Sequence, residues 1–565
     1  MRRLIFFSLI LFSNFIYSQN LLFAEPRNPI RAKNGMVVSA NELASKVGIQ
    51  ILKRGGNAID AAVAVGFALA VTYPVAGNIG GGGFMIIHTK DGKSIAIDFR
   101  EVAPAAATRN MFLDSDGNFL PDLSQVGIKS AGVPGSVSGL LYALKKYGTM
   151  KIEDVIQPAI NMAEIGFPLP YSTANSIKYT LDDFSQFPSS MKIFSKNGEA
   201  YQEGEIFKQP DLAFVLNEIK NFGVDGFYKG KVAELIVDQQ NKMGGLITLD
   251  DLANYKTIER EVVRGSYNNF EIISMPPSSS GGVALIQLLN ILENFSFEEN
   301  EWGSSNYIHT LVEAMKYVYA DRAVHLGDSD FYNVPIDWLT SKAYAKKIAD
   351  KIKNSATPSD SIFAGSPDSF EGENTTHYSV YDKDGNAVSV TTTINSGYGS
   401  KLVVEGAGFL LNNEMDDFSS KPNTPNQFGL IGSEANSIEP GKRMLSSMTP
   451  TIVLHNEKPF LILGSPGGST IITVVLQVIL NIIEFNMDIE QAVYSPRIHH
   501  QWKPDKLYFE KFGLSKDVIE NLKSMEHIIG NERVLGIVEA IMIDQKNKII
   551  FGVTDKRGAG KVEGY

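Results

Sequence analysis

The sequence contains no cysteine among its 565 residues. Disulfide bonds, thiolate nucleophiles and cysteine-bound metals are therefore excluded. None of the eight histidines belongs to a His-Glu-x-x-His motif, and the chain has neither a Gly-x-Ser-x-Gly motif nor a glycine loop that continues into Gly-Lys-Ser or Gly-Lys-Thr. These absences argue against a zinc protease, a serine α/β-hydrolase and a nucleotide-binding P-loop. We expect neither a metal nor a cofactor.

An excess of positive charge is also absent. The chain has 52 basic and 63 acidic residues, which give a formal net charge of −11. Proteins that grip phosphate backbones carry a basic surface, so nucleic acid is not an expected partner. Hydrophobic residues make up 44% of the chain, which is enough for a large core.

Residues 1–24 have the composition of a secretory signal. Arg2 and Arg3 precede the apolar stretch Leu4–Tyr17, and cleavage is predicted after Ser18 or Ala24. A membrane anchor is the alternative, but the apolar stretch is shorter than the ~20 residues that a transmembrane helix needs. We therefore expect an exported protein that loses this segment and has no stable membrane span.

Several segments predict secondary structure with definite ends. Asn57 and Asp60 suit the start of a helix that runs to about Val71. Residues 130–350 favour mainly helices, and an apolar helix is expected after Gly467. Later strands are predicted at Thr451–His455, Pro459–Leu463, Ala540–Asp544 and Ile549–Val553.

The clearest boundary in the sequence separates a linker from a hairpin. Residues 354–374 are mostly turn formers and charges with little to bury. Alternating strands are predicted directly after them, at 375–381 and 387–395, with 382–386 as the loop. If Tyr381 faces Ala387 without a bulge, Thr375 lies opposite Thr393, and Asn395 follows on the same face.

A threonine at such a boundary suits a precursor that cleaves itself. Cleavage after Asn374 would leave Thr375 with a hydroxyl and a free α-amine, which together supply a nucleophile and a base. The alternative is an ordinary exposed threonine at the start of a strand. The tether before Thr375 and the second hydroxyl predicted beside it favour the catalytic interpretation.

Two further sets of residues have functional potential. The turn Gly464–Thr470 precedes the apolar helix, where backbone N–H groups lacking helical partners could hold an oxyanion; an ordinary glycine turn is the alternative. The second set combines the hydroxyl, acidic and basic groups that would recognise a zwitterion. Its members are Arg100, Asp416, Asp417, Ser446 and Ser447, each of which could instead be a surface or capping residue.

From about Asn34 to its end, the chain resembles the γ-glutamyltransferases (glutathione hydrolases) of the N-terminal-nucleophile hydrolase superfamily. The segments that carry the resemblance are 375–380 (Thr-Thr-His-Tyr-Ser-Val), 411–418 (Leu-Asn-Asn-Glu-Met-Asp-Asp-Phe), 445–448 (Leu-Ser-Ser-Met) and 464–468 (Gly-Ser-Pro-Gly-Gly).

The resemblance implies a fold, a maturation and an activity. The fold would be α+β, a four-layer αββα sandwich shared by two processed subunits. Residues 1–24 would be the signal peptide, 25–374 the large subunit and 375–565 the small one, and both subunits would form a heterodimer in the periplasm or outside the cell. The substrates would be glutathione and other γ-glutamyl compounds, with water or amino acid and peptide amines as acceptors.

The resemblance also implies residue roles. The precursor would cut itself between Asn374 and Thr375, Thr375 would then be the nucleophile and Thr393 the hydroxyl that orients it, and the amides of Gly467 and Gly468 would bind the oxyanion. The γ-glutamyl α-carboxylate would be held by Arg100, Ser446 and Ser447, and the α-amine by Asn395, Glu414 and Asp417.

Three positions depart from the pattern of bacterial members. Glu414 replaces a common glutamine, Phe428 stands where some relatives carry tyrosine in a flap over the site, and Lys556 replaces a proline. Two competing functions remain open. One is an acylase of the same fold that acts on cephalosporin side chains or another amide, and the other is an exported amino-acid-binding protein without catalysis.

Overall fold

The computed structural model describes residues 29–363, 375–421 and 424–565. The predicted signal peptide and Asn374 lie outside these ranges. Within them, no helix is both long and apolar enough to cross a membrane.

Two seven-stranded antiparallel sheets form the centre of the molecule. The first contains, in spatial order, Ile30–Ala32, Ile549–Thr554, Glu539–Asp544, Lys458–Leu463, Thr451–His455, Phe270–Ser274 and Val263–Tyr267. The second contains Lys561–Gly564, Met36–Ser39, Thr376–Tyr381, Ala387–Thr393, Gly82–His88, Ser94–Asp98 and Ile258–Arg260. The two sheets face each other, and Ser379 Oγ of the second donates to the Glu539 carbonyl of the first at 3.0 Å.

Helices cover the outer face of each sheet. Those associated with the second sheet and its extensions are Glu42–Lys53, Ala58–Thr72, Ser136–Tyr147, Ile152–Ile165, Tyr171–Phe184, Pro188–Phe194, Pro210–Phe222, Asp225–Tyr228, Gly230–Met243 and Leu249–Asn254. Those on the side of the first sheet are Gly281–Leu292, Ser305–His325, Ile336–Leu339, Lys342–Ala349, Ile471–Ile483, Ile489–Tyr494 and Lys516–Ser524. The short helix Pro121–Gln125 packs through Leu123 against a separate small cluster that includes Met415. The αββα order of layers is as predicted.

Smaller elements complete the fold. A three-stranded sheet contains Ile498–His499, Leu507–Phe509 and Ile529–Glu532. Two short antiparallel pairs join Phe167–Pro168 to Ile206–Phe207 and Ser195–Lys196 to Glu199–Ala200.

The helix Ala58–Thr72 shows why its sequence folds as it does. Asn57 accepts from the amide of Asp60, whose side chain accepts from the amide of Asn57, so the predicted start is a capping box. All fifteen residues are buried, as expected for a helix that is apolar on every side. The observed helix ends one residue beyond the predicted Val71.

The predicted hairpin register is confirmed. Tyr381 pairs with Ala387 and Thr376 with Thr392, which is the alignment that sets Thr375 against Thr393. The second strand is shorter than predicted, because it ends at Thr393 and Asn395 has a φ of 73°. Asn395 therefore reaches the site from a turn and not as the next residue of the strand.

The middle of the chain is less purely helical than expected. Residues 130–350 contain helices as predicted but also seven strands. Four of them form the two short pairs, and the other three, Ile258–Arg260, Val263–Tyr267 and Phe270–Ser274, belong to the large sheets. These strands extend the edges of both sheets. Their short length and mixed burial leave little periodic signal in the sequence.

Candidate active site

Thr375 lies at the end of a central strand. It directly precedes Thr376–Tyr381, which is flanked in the second sheet by Met36–Ser39 and Ala387–Thr393. Its exposed fraction is only 8%, so the alternative of an ordinary exposed threonine at the start of a strand does not hold. A residue in this position is fixed by two neighbouring strands while its side chain faces a pocket.

The pocket at Thr375 has an empty volume of about 300 Å³. It brings together most of the residues that the sequence singled out. These are Arg100, Thr375, Thr393, Asn395, Glu414, Asp417, Ser446, Ser447 and Gly468. Gly467 and Asp416 do not line it. The other residues that line the pocket are apolar, and the sequence pointed only to Phe428 among them. They are Phe428, Leu430, Leu445, Met448 and Ile471.

Thr393, which lines the pocket with Thr375, is held firmly in place. It pairs with Gly82 in the sheet, and Asn78 Nδ2 donates to its carbonyl at 2.9 Å. Its Oγ1 accepts from the amide of Asn395 at 2.7 Å. Asn395 in turn donates through Nδ2 to the carbonyl of Asn413 at 3.0 Å, so a short network fixes the turn that follows the strand.

Arg100 occupies a buried cage of carboxylates. Its Nη1 lies 2.5 Å from Glu414 Oε2, and its Nη2 lies 2.5 Å from Asp417 Oδ2. Nε donates to the Met444 carbonyl at 3.2 Å, and Glu101 Oε2 lies 3.7 Å from Nη1. One guanidinium therefore stands among three carboxyl groups in a site shielded from water.

Burial controls the protonation of this cage. It raises the pKa of Glu101 to about 8 and the pKa of Glu414 well above its ordinary value, and it also raises the pKa of Asp417, while the charge of Arg100 opposes each rise. An ammonium group bound here would favour the ionised carboxylates. The carboxylates of this cage can therefore bind a cation next to Arg100. Arg100 can bind an anion if it gives up its contact with Glu414 or Asp417.

Ser446 and Ser447 are positioned by the neighbouring loop 278–280 and by Arg322, which the sequence did not point to. The Ser446 amide donates to the Ser278 carbonyl at 3.0 Å, and the Ser280 amide donates to the Ser446 carbonyl at 2.8 Å. Arg322 Nη2 donates to Ser447 Oγ at 3.0 Å and Nε donates to Ser280 Oγ at 2.9 Å. Burial lowers the pKa of Arg322 to about 10.

Arg322 was missed by the sequence analysis. It lies near the end of the helix Ser305–His325, and nothing in the sequence indicates which face of that helix meets the serine pair.

The turn and the apolar helix after it lie where the sequence predicts them. Gly467 and Gly468 have φ values of 135° and 51°. Glycine adopts such backbone conformations readily, whereas a residue with a side chain would be strained in them. A Cβ on Gly468 would also lie 2.7 Å from Phe428 Cδ1. The turn Gly468–Thr470 leads into the helix Ile471–Ile483, so the backbone at the pocket wall has the positive end of a helix behind it.

His377 lies two residues from Thr375 but has no freedom to act as a base. Its Nδ1 is 2.9 Å from Thr391 Oγ1 and its Nε2 is 3.1 Å from Ser379 Oγ. A Cβ on Gly464 would lie 2.4 Å from the ring, so the imidazole is tightly enclosed. Burial lowers the pKa of His377 to about 3, which keeps the ring neutral.

Because His377 is held neutral, we expect the free energy of unfolding of the protein to decrease in acid. Because its folded pKa is below the unfolded value, its contribution to stability is complete above about pH 6.5 and declines as the pH falls towards 3. We expect His377→Gln to reduce the slope of unfolding free energy against pH by about 1.4 kcal/mol per pH unit between pH 6 and 4. Denaturant titrations across this range measure the slope. His455→Gln, at a partly exposed histidine, is the control, and equal slopes in wild type and His377→Gln would contradict the assignment.

The described ranges contain no group of three or more histidine, aspartate or glutamate side chains arranged to hold a metal ion.

The family model described as gamma-glutamyltranspeptidase matches residues 44–565. The chain is 48% identical over 532 residues to the glutathione hydrolase proenzyme of Escherichia coli (strain K12), covering 94% of this chain and 91% of the relative. It is 41% identical over 554 residues to the protein of the same name from Bacillus subtilis (strain 168), with coverages of 94% and 92%.

Solved structures agree with these relatives. The γ-glutamyltranspeptidase of Helicobacter pylori is 52% identical with a TM-score of 0.57, covering 57% of this chain and 94% of that one. The cephalosporin acylase from Bacillus halodurans is 27% identical with a TM-score of 0.85, covering 96% and 98%. Because the family model matches residues 44–565 and the relatives align over 94% of the chain, the chain belongs to the γ-glutamyltranspeptidase family.

Proposed function

We propose that this protein is a self-processing γ-glutamyltransferase that cleaves the γ-glutamyl amide bonds of glutathione and its conjugates. It transfers the γ-glutamyl group to water or to amino acid and peptide amines through an ester on Thr375. The observation that carries the proposal is the pocket itself, where buried Thr375 shares a cavity with Arg100, Glu414 and Asp417. These charges complement the α-carboxylate and α-ammonium of a γ-glutamyl group.

Maturation begins with attack of Thr375 Oγ on the carbonyl of Asn374. The acyl group moves from nitrogen to oxygen, which breaks the Asn374–Thr375 amide bond and frees the α-amine of Thr375. Water then hydrolyses the ester, which frees the Thr375 hydroxyl and leaves Asn374 with a terminal carboxylate. The products are a large subunit, 25–374 after removal of the signal 1–24, and a small subunit, 375–565. The sheets support a stable heterodimer, because the small-subunit strand Thr376–Tyr381 pairs with Met36–Ser39 of the large subunit.

In catalysis, the free α-amine of Thr375 takes the hydroxyl proton directly or through water. A terminal amine has an ordinary pKa of about 7.7–8.0, which suits a base near neutrality. Attack on the γ-carbonyl forms a tetrahedral oxyanion that the amides of Gly467 and Gly468 stabilise. One such donor typically contributes roughly 3–4 kcal/mol. Collapse expels the amine of the substrate and leaves the ester.

The acyl-enzyme is resolved by an acceptor. Water gives glutamate, and an acceptor amine gives a new γ-glutamyl amide. Resolution of the ester breaks its bond to Thr375 Oγ1, the oxygen that Thr393 orients for the first attack from its fixed place in the sheet. The α-carboxylate binds to Arg100, Ser446 and Ser447, while the α-amine binds to the group formed by Asn395, Glu414 and Asp417.

A zwitterion fits this site better than a single charge. Arg100 already contacts Glu414 and Asp417, so a lone anion would have to displace a carboxylate and leave it buried without a partner. A γ-glutamyl group brings an ammonium together with its carboxylate, so every buried charge keeps an opposite partner.

The acylase alternative is tested by comparing γ-glutamyl and glutaryl anilides, which differ only in the α-amine. We expect kcat/KM to be at least about 100-fold higher for the γ-glutamyl compound, because a glutaryl group leaves the carboxylates of the site without their ammonium. Asp417→Asn should narrow this ratio mainly by slowing the γ-glutamyl substrate. Equal rates for both anilides in the wild type would favour an acylase, and no turnover of either would favour a binding protein.

Residues 1–24 support export, and we place the mature enzyme in the periplasm or outside the cell. Deletion of this segment should retain the protein in the cytoplasm, which fractionation of expressing cells measures.

A further inference from the structure

We infer that Gln501 is a positioning residue that ties the flap over the active site to the oxyanion turn. The flap is defined here as residues 424–432, and the oxyanion turn as residues 467–470. This inference rests on the proposed function for its kinetic consequence, but its structural basis is a set of hydrogen bonds that no predicted site residue makes.

Gln501 joins two elements through opposite ends of one amide. Its Nε2 lies 3.3 Å from the carbonyl oxygens of both Phe428 and Gly429. Its Oε1 accepts from Ser469 Oγ at 2.7 Å and lies 3.0 Å from His499 Nε2. The side chain is buried, with an exposed fraction of 3%, so water does not compete for these bonds.

The chemistry of the partners fixes the orientation of this amide. Two carbonyl oxygens cannot donate, so the nitrogen of Gln501 must face them. Burial lowers the pKa of His499 to about 4, so the ring is neutral and carries one N–H. Because Gln501 Oε1 can only accept, that hydrogen is on Nε2, and the unprotonated Nδ1 lies 2.8 Å from Thr473 Oγ1. The Nε2–H of His499 is then available to Gln501 Oε1. Both donor hydrogens and both acceptor positions of Gln501 are therefore used.

The flap tip is part of the pocket. Phe428 and Leu430 line it, and the Phe428 ring lies against Gly468 closely enough that a Cβ there would approach to 2.7 Å. Phe428 has no hydroxyl with which to tether the flap. Gln501 supplies a polar tether from the backbone side of the same residue.

The other end of the flap is attached to the ammonium subsite. Asn426 Nδ2 donates to Asp417 Oδ1 at 3.0 Å, and Asn426 Oδ1 accepts from the amides of Phe428 and Leu430. A continuous path of hydrogen bonds thus runs from Asp417 through the flap and Gln501 to Ser469 of the oxyanion turn. The amide of Gln501 therefore links the flap to the oxyanion turn by hydrogen bonds, in addition to the packing of Phe428 against Gly468.

The decisive variant is Gln501→Glu, which keeps the shape of the side chain. Its carboxylate still accepts from Ser469 and His499, but it faces the Phe428 and Gly429 carbonyls without a donor. We expect hydrogen exchange of amides in the flap to accelerate about tenfold or more. We also expect KM for a γ-glutamyl anilide to rise about tenfold while kcat changes less than about threefold. Gln501→Ala should show the same exchange effect.

Gln477→Ala is the matched control. Gln477 is a buried glutamine that bonds to Thr473 and Ile498 and makes no bond to the flap. It should lower thermal stability comparably without faster flap exchange or higher KM. Unchanged flap exchange in Gln501→Glu, or an equal acceleration in Gln477→Ala, would overturn the inference. Hydrogen exchange is measured without substrate. If the wild-type protein is inactive on γ-glutamyl anilides, the proposed function is rejected, but the exchange experiment still tests the role of Gln501.

Discussion

Replacement of Thr375 by alanine is expected to leave one full-length polypeptide with no measurable γ-glutamyl hydrolysis, whereas the wild-type protein separates into two chains on a denaturing gel. The same Oγ is required for release of the α-amine and for attack on the substrate, so both steps fail together. We expect kcat/KM to fall by at least about 10⁴-fold, as it does when a nucleophile is removed from an enzyme that forms an acyl intermediate.

The neighbouring threonine provides a matched control. Thr376 is buried, and its Oγ1 has no hydrogen-bond partner, so Thr376→Val removes a hydroxyl of similar burial without changing the pocket lining. This variant should mature and remain active. N-terminal sequencing of the smaller wild-type chain should begin at Thr375. A wild-type protein that is active as one intact polypeptide would falsify the processing mechanism.

The hairpin that holds Thr375 could be predicted because its determinants are local. The loop residue Asp382 accepts from the amides of Asp384 and Asn386, and this turn chemistry sets the register of both strands. The capping box at Asn57 is local in the same sense. Such features depend on residues a few positions apart, so a single sequence contains the information that specifies them.

The long-range parts of the site could not be obtained in this way. Arg322 meets Ser447 across 125 positions of sequence, and Gln501 meets Phe428 across 73. The orientation of a helix face and the path of a loop depend on packing between distant segments, which periodicity does not encode. The acidic pair illustrates the same limit. Asp417 lines the pocket, whereas Asp416 accepts from Ser124 Oγ and from the amide of Gln427, outside it.

The charges around Arg100 lead to the second large effect. Its guanidinium contacts Glu414 and Asp417 with separate nitrogens, a geometry that a single ammonium cannot reproduce. In Arg100→Lys we expect kcat/KM for a γ-glutamyl anilide to fall by about 10²–10³-fold, equivalent to about 3–4 kcal/mol. Most of the loss should be a higher KM, because the α-carboxylate is bound in the ground state as well as in the transition state.

Arg260→Lys separates this effect from a general loss of stability. Arg260 also bridges two carboxylates, with Nε 2.8 Å from Asp98 Oδ2 and Nη2 2.7 Å from Asp330 Oδ2, but it does not line the pocket. Both variants keep the positive charge and should unfold at similarly lowered denaturant concentrations. Only Arg100→Lys should lose affinity for the substrate. If kcat/KM falls equally in both variants, Arg100 contributes to the stability of the fold and not to substrate binding. If kcat/KM falls in neither variant, the α-carboxylate binds to other residues. A selective loss means that the cage of carboxylates holds Arg100 ready for the substrate, and that the substrate's own ammonium keeps those carboxylates paired when Arg100 turns to the α-carboxylate.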